Sequence, residues 1–192
     1  MSSDKPDRRT IILDTVIRLI ADHGLVGVTH RAVDSAAGLP QGSSNYYFSK
    51  KADLLRAAAE HLAHELEKDC DGLQIAFAET AARQGIEAAI EYFAQGLIAT
   101  TDQTRHLLLA RIELSMAAAR DPNLAGVGDL LATAARRPIE FFIGLVFQGR
   151  QTFPLATSVA LIDGVSLMYA IGQGPQPTAE QVTAVLRSLA AE

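Results

Sequence analysis

Residues 29–55 read THRAVDSAAGLPQGSSNYYFSKKADLL, and this stretch decides the fold. Thr29 is of the type that caps a helix start, so a short helix is predicted over about Arg31 to Ala37, stopped by Gly38. Leu39-Pro40 then opens another, because proline is tolerated in a first helical turn. That next helix, near Gln41 to Tyr47, is short and mostly polar. Two short helices joined through Ala37-Gly38-Leu39-Pro40 make a helix-turn-helix.

Outward from this centre the pattern stays helical. Upstream, Ile12, Val16, Leu19 and Ile20 recur at helical spacing between Arg8 and His23, and Gly24 stands where a left-handed cap would close the helix. Downstream, Ser49 can cap an alanine-rich helix that starts at Lys51 and ends near Cys70. Its roughly 20 residues would span about 30 Å, the length of a connecting rod. Further helical blocks are predicted near 73–81, 84–100, 104–119, 123–148, 154–171 and 178–190. Asp121-Pro122, Phe153-Pro154 and Gly174-Pro175-Gln176-Pro177 separate them, and Pro138 predicts a kink or break inside one.

Composition agrees with an all-α chain. The 192 residues are 48% hydrophobic and only 6% aromatic, with no Trp, and leucine and alanine abound. One cysteine, Cys70, cannot close an intrachain disulfide or build a thiolate metal cage, which points to a reducing compartment. Asp14, Arg18 and Asp22 interrupt the first apolar run, unlike a signal peptide, and no apolar stretch reaches membrane-spanning length. The expected location is cytoplasmic.

Net charge is −5, which taken alone argues against a nucleic-acid partner. The distribution argues otherwise. Residues 1–56 carry eight Lys and Arg against six Asp, a net +2, leaving −7 on the remainder. A small polyanion-facing unit joined to a larger body fits this asymmetry. In a helix-turn-helix the second helix enters the major groove, and Gln41, Ser43, Ser44 and Asn45 carry the short hydrogen-bonding groups that read base edges.

The run from Thr29 through the tyrosine pair Tyr46-Tyr47, Phe48 and Lys51-Ala52-Asp53-Leu54-Leu55 resembles the DNA-binding domain of TetR-family transcriptional regulators. The likeness covers about 50 residues of the N-terminal quarter. It implies an all-α homodimer with a DNA-binding domain at 1–49 and a helical ligand-binding and dimerisation domain at 50–192. It places Thr29, Tyr46, Tyr47 and Lys51 at phosphate-holding positions, and Lys50, Arg8 and Arg9 can add salt-dependent affinity. Gly42 would let the backbone approach closely, while Val33, Ala37, Leu39, Phe48 and Leu54 form a small core. The chain departs from the commonest family pattern at Asp34, where a small alanine is usual, and at Ser44-Asn45, which replace a leucine-tyrosine pair.

In the body, His106, Arg111 and Glu113 interrupt an apolar helix, so a polar anchor for a small-molecule effector is expected among them. Tyr92 and Phe142 are the expected aromatic walls. The segment Ala160–Ile171 is apolar nearly all round and demands burial. With the stripe Val182, Val185, Leu186 and Leu189, the helices near 154–171 and 178–190 are expected to form the homodimer contact.

The sequence has no GxSxG elbow, P-loop or GxGxxG fingerprint, and no cofactor is expected. His61, His64 and Glu65, with Glu60 nearby, share a helix face, which keeps a helical metal-dependent enzyme as an alternative beside a protein-protein adaptor. The favoured expectation is no enzyme but a repressor released from its DNA operator by a small molecule.

Overall fold

In the computed structural model the described residues are 7–103, 105–146 and 154–188, and the description excludes the side chains of 97–103, 139, 142–146, 155, 158, 159 and 185–188. These residues form helices α1 (Arg8–His23), α2 (His30–Ala36), α3 (Ser43–Tyr47), α4 (Lys51–Gln84), α5 (Ile86–Gln103), α6 (Arg105–Ala118), α7 (Val127–Val146), α8 (Leu155–Ala170) and α9 (Ala179–Ser188). Short 3-10 turns at Leu25–Gly27 and Pro122–Leu124 complete the set, and no strand occurs among the described residues. The all-α expectation holds.

The chain divides into two compact units. One takes in Met1–His64 and His106–Ala132, the other Glu65–Arg105 and Thr133–Glu192. In the first, α1 turns Ile12, Val16 and Ile20 inward, and Val28, Val33, Phe48 and Leu54 are buried with them. Arg9 lies over the Phe48 ring, 5.5 Å from its centre, so one arm cation shields this core. Asp14 on α1 meets His61 Nε2 on α4 at 2.7 Å. Farther along the same unit, Arg56 donates to the carbonyls of Asn123 at 2.7 Å and Ala125 at 3.1 Å, fastening the first turns of α4 to the connection between α6 and α7.

The second unit is built around Phe77, fully buried, which Phe93 and Phe141 approach edge-on at 6.1 and 6.0 Å. Arg137 pairs with Asp71 at 2.8 Å, and Arg105 Nε donates to the Ala170 carbonyl at 2.7 Å, tying the start of α6 to the end of α8. Cys70 is buried with Gln74 Nε2 3.2 Å from its sulfur, and burial pushes its thiol up. It is an inert packing group.

Two expectations are corrected. The helix beginning at Lys51 does not stop near Cys70, and the block at 73–81 is not separate: α4 runs 34 residues to Gln84, about 51 Å. Gly72 costs a helix only about 1 kcal/mol, which the burial of Phe77 beyond it outweighs. The stop falls at Gly85, whose φ of 92° is left-handed. Of the kink or break expected at Pro138, the break does not occur: the proline lies inside a continuous α7.

Candidate nucleic-acid interface

The helix-turn-helix is assembled by local hydrogen bonds. Thr29 Oγ1 accepts from the Ala32 amide at 3.1 Å and caps α2, as its position predicts. The turn follows with Leu39 N–H donating to Asp34 O at 2.9 Å, and Ser43 donating to Pro40 O from its amide at 3.1 Å and its hydroxyl at 2.6 Å. Gly42 takes the left-handed conformation at φ 93° and delivers the chain into α3.

Under α3 lies a buried polar cluster. Asp34, 1% exposed, accepts the Gly42 amide on Oδ2 at 2.7 Å and the Ser44 amide on Oδ1 at 2.8 Å. Burial pushes this carboxyl up, but the hydrogen bonds from Ser44 and Gly42 outweigh it and leave it below the usual carboxylate range. Ser44 donates its hydroxyl proton to His30 O at 3.2 Å, and His30 Nδ1 stands 3.2 Å from the same Oγ. A hydroxyl has one proton, so Nδ1 is the donor of that second bond. The other ring nitrogen, Nε2, is buried with no hydrogen-bond partner.

This cluster corrects one assignment. Ser44 is fully buried and its polar atoms face α2, so it cannot reach a base edge. Its neighbours differ. Gln41 and Asn45 are exposed, Ser43 is half-buried with its hydroxyl on Pro40, and Gly42 is exposed. Tyr46 is 85% exposed and Tyr47 39%, their rings edge-to-face at 5.3 Å. Lys50 is exposed. Lys51 is exposed too, and donates to Leu25 O at 2.7 Å, leaving two N–H groups on its ammonium. Thr29 is exposed, and its hydroxyl keeps its proton while accepting from Ala32. Sequence reasoning missed Asp34 and His30 as site builders, although the acid at position 34 stood out where a small residue is usual.

His106 and Arg111 are half-buried on α6 and Glu113, on the same helix, is exposed, all in the first unit; Tyr92, 43% exposed, belongs to the second. Glu113 faces solvent and so cannot be a buried anchor. The Phe142 side chain lies outside the described residues. An open groove of about 760 Å³ lies in the second unit, lined by Gln84, Glu87, Glu91, Glu180 and Thr183 with three alanines, and Tyr92, of the same unit, does not line it. Among the described residues no group of three or more His, Cys, Asp and Glu could hold a metal ion, and no helix is long and apolar enough to cross a membrane.

A short polar helix presented outward after a capped partner helix is the arrangement of the helix-turn-helix class of regulator. The chain belongs to the TetR family. The profile described as bacterial regulatory proteins, tetR family, matches residues 12–58, and that described as tetracyclin repressor-like, C-terminal domain, matches 84–192. Among curated relatives, the transcriptional regulator BetI of Rhizobium meliloti is 32% identical over 65 residues, 34% of this chain and 32% of BetI. The BetI of Brucella canis is 34% identical over the same length, so the chain spans about a third of these relatives. Over nearly the whole chain, a TetR-family member from Streptomyces coelicolor A3 superposes with a TM-score of 0.71 at 25% identity, covering 97% of this chain and 100% of that one. The multidrug binding protein EbrR in complex with imidazole reaches 0.64 at 25% identity and 98% of each chain, and its proflavin complex 0.56 at 26%, covering 94% and 98%.

Proposed function

We propose that the protein is a homodimeric, cytoplasmic repressor that binds a double-stranded DNA operator and leaves it when a small molecule binds the body. The observation that carries this reading is the outward set on α3 and its flanks: Gln41 and Asn45 toward bases, and Thr29, Tyr46, Tyr47, Lys50 and Lys51 toward phosphates. Residues 1–49 serve as the DNA-binding domain and 50–192 as the ligand-binding and dimerisation domain. A protein-protein adaptor leaves the exposed tyrosine and amide groups of α3 without a role, and the family offers no support for a metal-dependent enzyme.

Dimerisation is supported by α8. Leu161, Val165, Met168 and Ile171 are 49, 46, 43 and 44% exposed at helical spacing, an apolar stripe that favours being covered, and a second copy pairing through α8 and α9 covers it. Two α3 helices on successive half-sites multiply discrimination that one short helix lacks. The effector is proposed as a small organic molecule, since the EbrR neighbours carry imidazole and proflavin. It can release DNA only by binding the DNA-incompetent state more tightly, typically by a coupling of about 1–3 kcal/mol. The contacts of Arg56 with Asn123 and Ala125 offer a link from α4 to the connection between α6 and α7 along which such a bias can act.

The test is fluorescence anisotropy of purified protein on duplexes covering the promoter of its own gene, across a salt series. Sequence-selective binding that steepens as salt falls is expected. Equal, feeble binding to every duplex at low salt would remove the operator from the account.

A further inference from the structure

A helix of five residues cannot hold itself together, because helix nucleation needs more hydrogen bonds than α3 can form internally. At its two ends Tyr46 N–H donates to Gly42 O and Phe48 N–H to Ser44 O. What fixes α3 comes from α2. Both oxygens of the buried Asp34 carboxylate are engaged, one by the amide of the cap residue Gly42 and one by that of Ser44, so the pair sets rotation as well as distance. On the same face, Ser44 and His30 exchange hydrogen bonds through Oγ, O and Nδ1. Asp34 and Ser44 are buried, so neither reads DNA.

We propose that Asp34 is a positioning residue that determines sequence specificity: its carboxylate, bridging the Gly42 and Ser44 amides, sets the angle at which the turn before α3 and α3 itself offer Gln41 and Asn45 to base edges. The inference rests on the operator-binding reading above and deepens it. Its electrostatics give it a signature. A negative charge held beneath a DNA-facing helix repels phosphates, so its removal helps non-specific binding while loss of the bridge harms specific binding. Partial unfolding, by contrast, lowers both together.

The experiment begins with wild-type protein enriching duplexes from a randomised library. Affinities of wild type, Asp34→Ala, Asp34→Asn and Val33→Ala are then measured on the enriched duplex and on a scrambled duplex of the same composition, well below each unfolding midpoint. Val33 is buried in the same helix and makes no polar contact with α3, so its truncation matches the loss of stability without touching the bridge. Asp34→Ala is expected to lose about tenfold or more on the enriched duplex while holding or gaining on the scrambled one. Asp34→Asn keeps one acceptor and turns a donor toward an amide, and falls between. Val33→Ala keeps the ratio of the two affinities. If Asp34→Ala is unfolded, Asp34→Asn decides. A ratio unchanged within about twofold in the folded Asp34 variant, or an equal loss of ratio in Val33→Ala, overturns the inference. A wild-type protein that enriches nothing overturns the operator reading first and this inference with it.

Discussion

Replacing Tyr46 by alanine separates DNA binding from folding. The side chain is 85% exposed and its ring meets that of Tyr47 edge-to-face at 5.3 Å. Such a pair contributes about 0.5–1.5 kcal/mol, and alanine's higher helix propensity returns about 0.5 kcal/mol of it. Stability therefore changes by about 1 kcal/mol at most, a shift of roughly 2–4 °C in Tm for a chain of this size. On DNA the same hydroxyl is assigned a phosphate hydrogen bond worth about 1–1.5 kcal/mol, and a dimer loses two. The expected weakening is about 2–3 kcal/mol, or about 30- to 150-fold in Kd, on enriched and scrambled duplexes alike. Tyrosine carries no charge, so the salt dependence should keep its slope, whereas Lys50→Ala should flatten it by about 2 through the loss of one cation per half-site. Anisotropy titrations between about 50 and 200 mM salt, paired with thermal melts, read every quantity. Wild-type affinity in Tyr46→Ala, or a drop in Tm as large as that of a core truncation, would refute the assignment of this ring to the DNA face.

Phe77→Ala removes a fully buried ring gripped by Phe93 and Phe141 and should cost about 3–5 kcal/mol, seen as a lower urea midpoint; a loss under 1 kcal/mol would mean the three rings do not form the second unit's core. The double variant Leu161→Glu/Met168→Glu should sediment as a monomer with DNA affinity greatly reduced, and a dimer that survives it pairs elsewhere. Because the Asp34 carboxyl sits below its usual range when folded, its contribution is complete above the unfolded value near pH 4 and is lost as pH falls through the folded value. Urea midpoints of wild type should thus drop with acid below about pH 4 more steeply than those of Asp34→Asn, and parallel curves would contradict that sign.

How much of this was legible in the residues varies with distance along the chain. Thr29 as a cap and Gly24 as the end of α1 are local signals, and each appears where its chemistry predicts, whereas Pro40 lies in the turn ahead of α3, which starts at Ser43 after the cap Gly42 rather than at the proline. Gly72 is a local signal overridden by packing, since the burial of Phe77 carries α4 past the glycine, and Pro138 does not break α7, whose neighbouring Arg137 pairs with Asp71 and whose Phe141 meets Phe77. The inward direction of Ser44 could not be read from periodicity, since α3 makes fewer than two turns and either face fits the pattern. It depends on Asp34, ten residues earlier, whose partner amides only the folded turn brings near. Which helices enclose an effector is a property of tertiary packing that spacing along one helix does not encode.

The inward seat of Ser44 has a practical corollary for retargeting this scaffold to new promoters. A combinatorial library at 41, 43 and 45 varies side chains that the interior does not use, apart from the Ser43 hydroxyl on Pro40. Randomising 44 or 34 alongside them would fill the pool with clones whose reading head has lost its mount, so the two are best left untouched and the diversity spent on their outward neighbours.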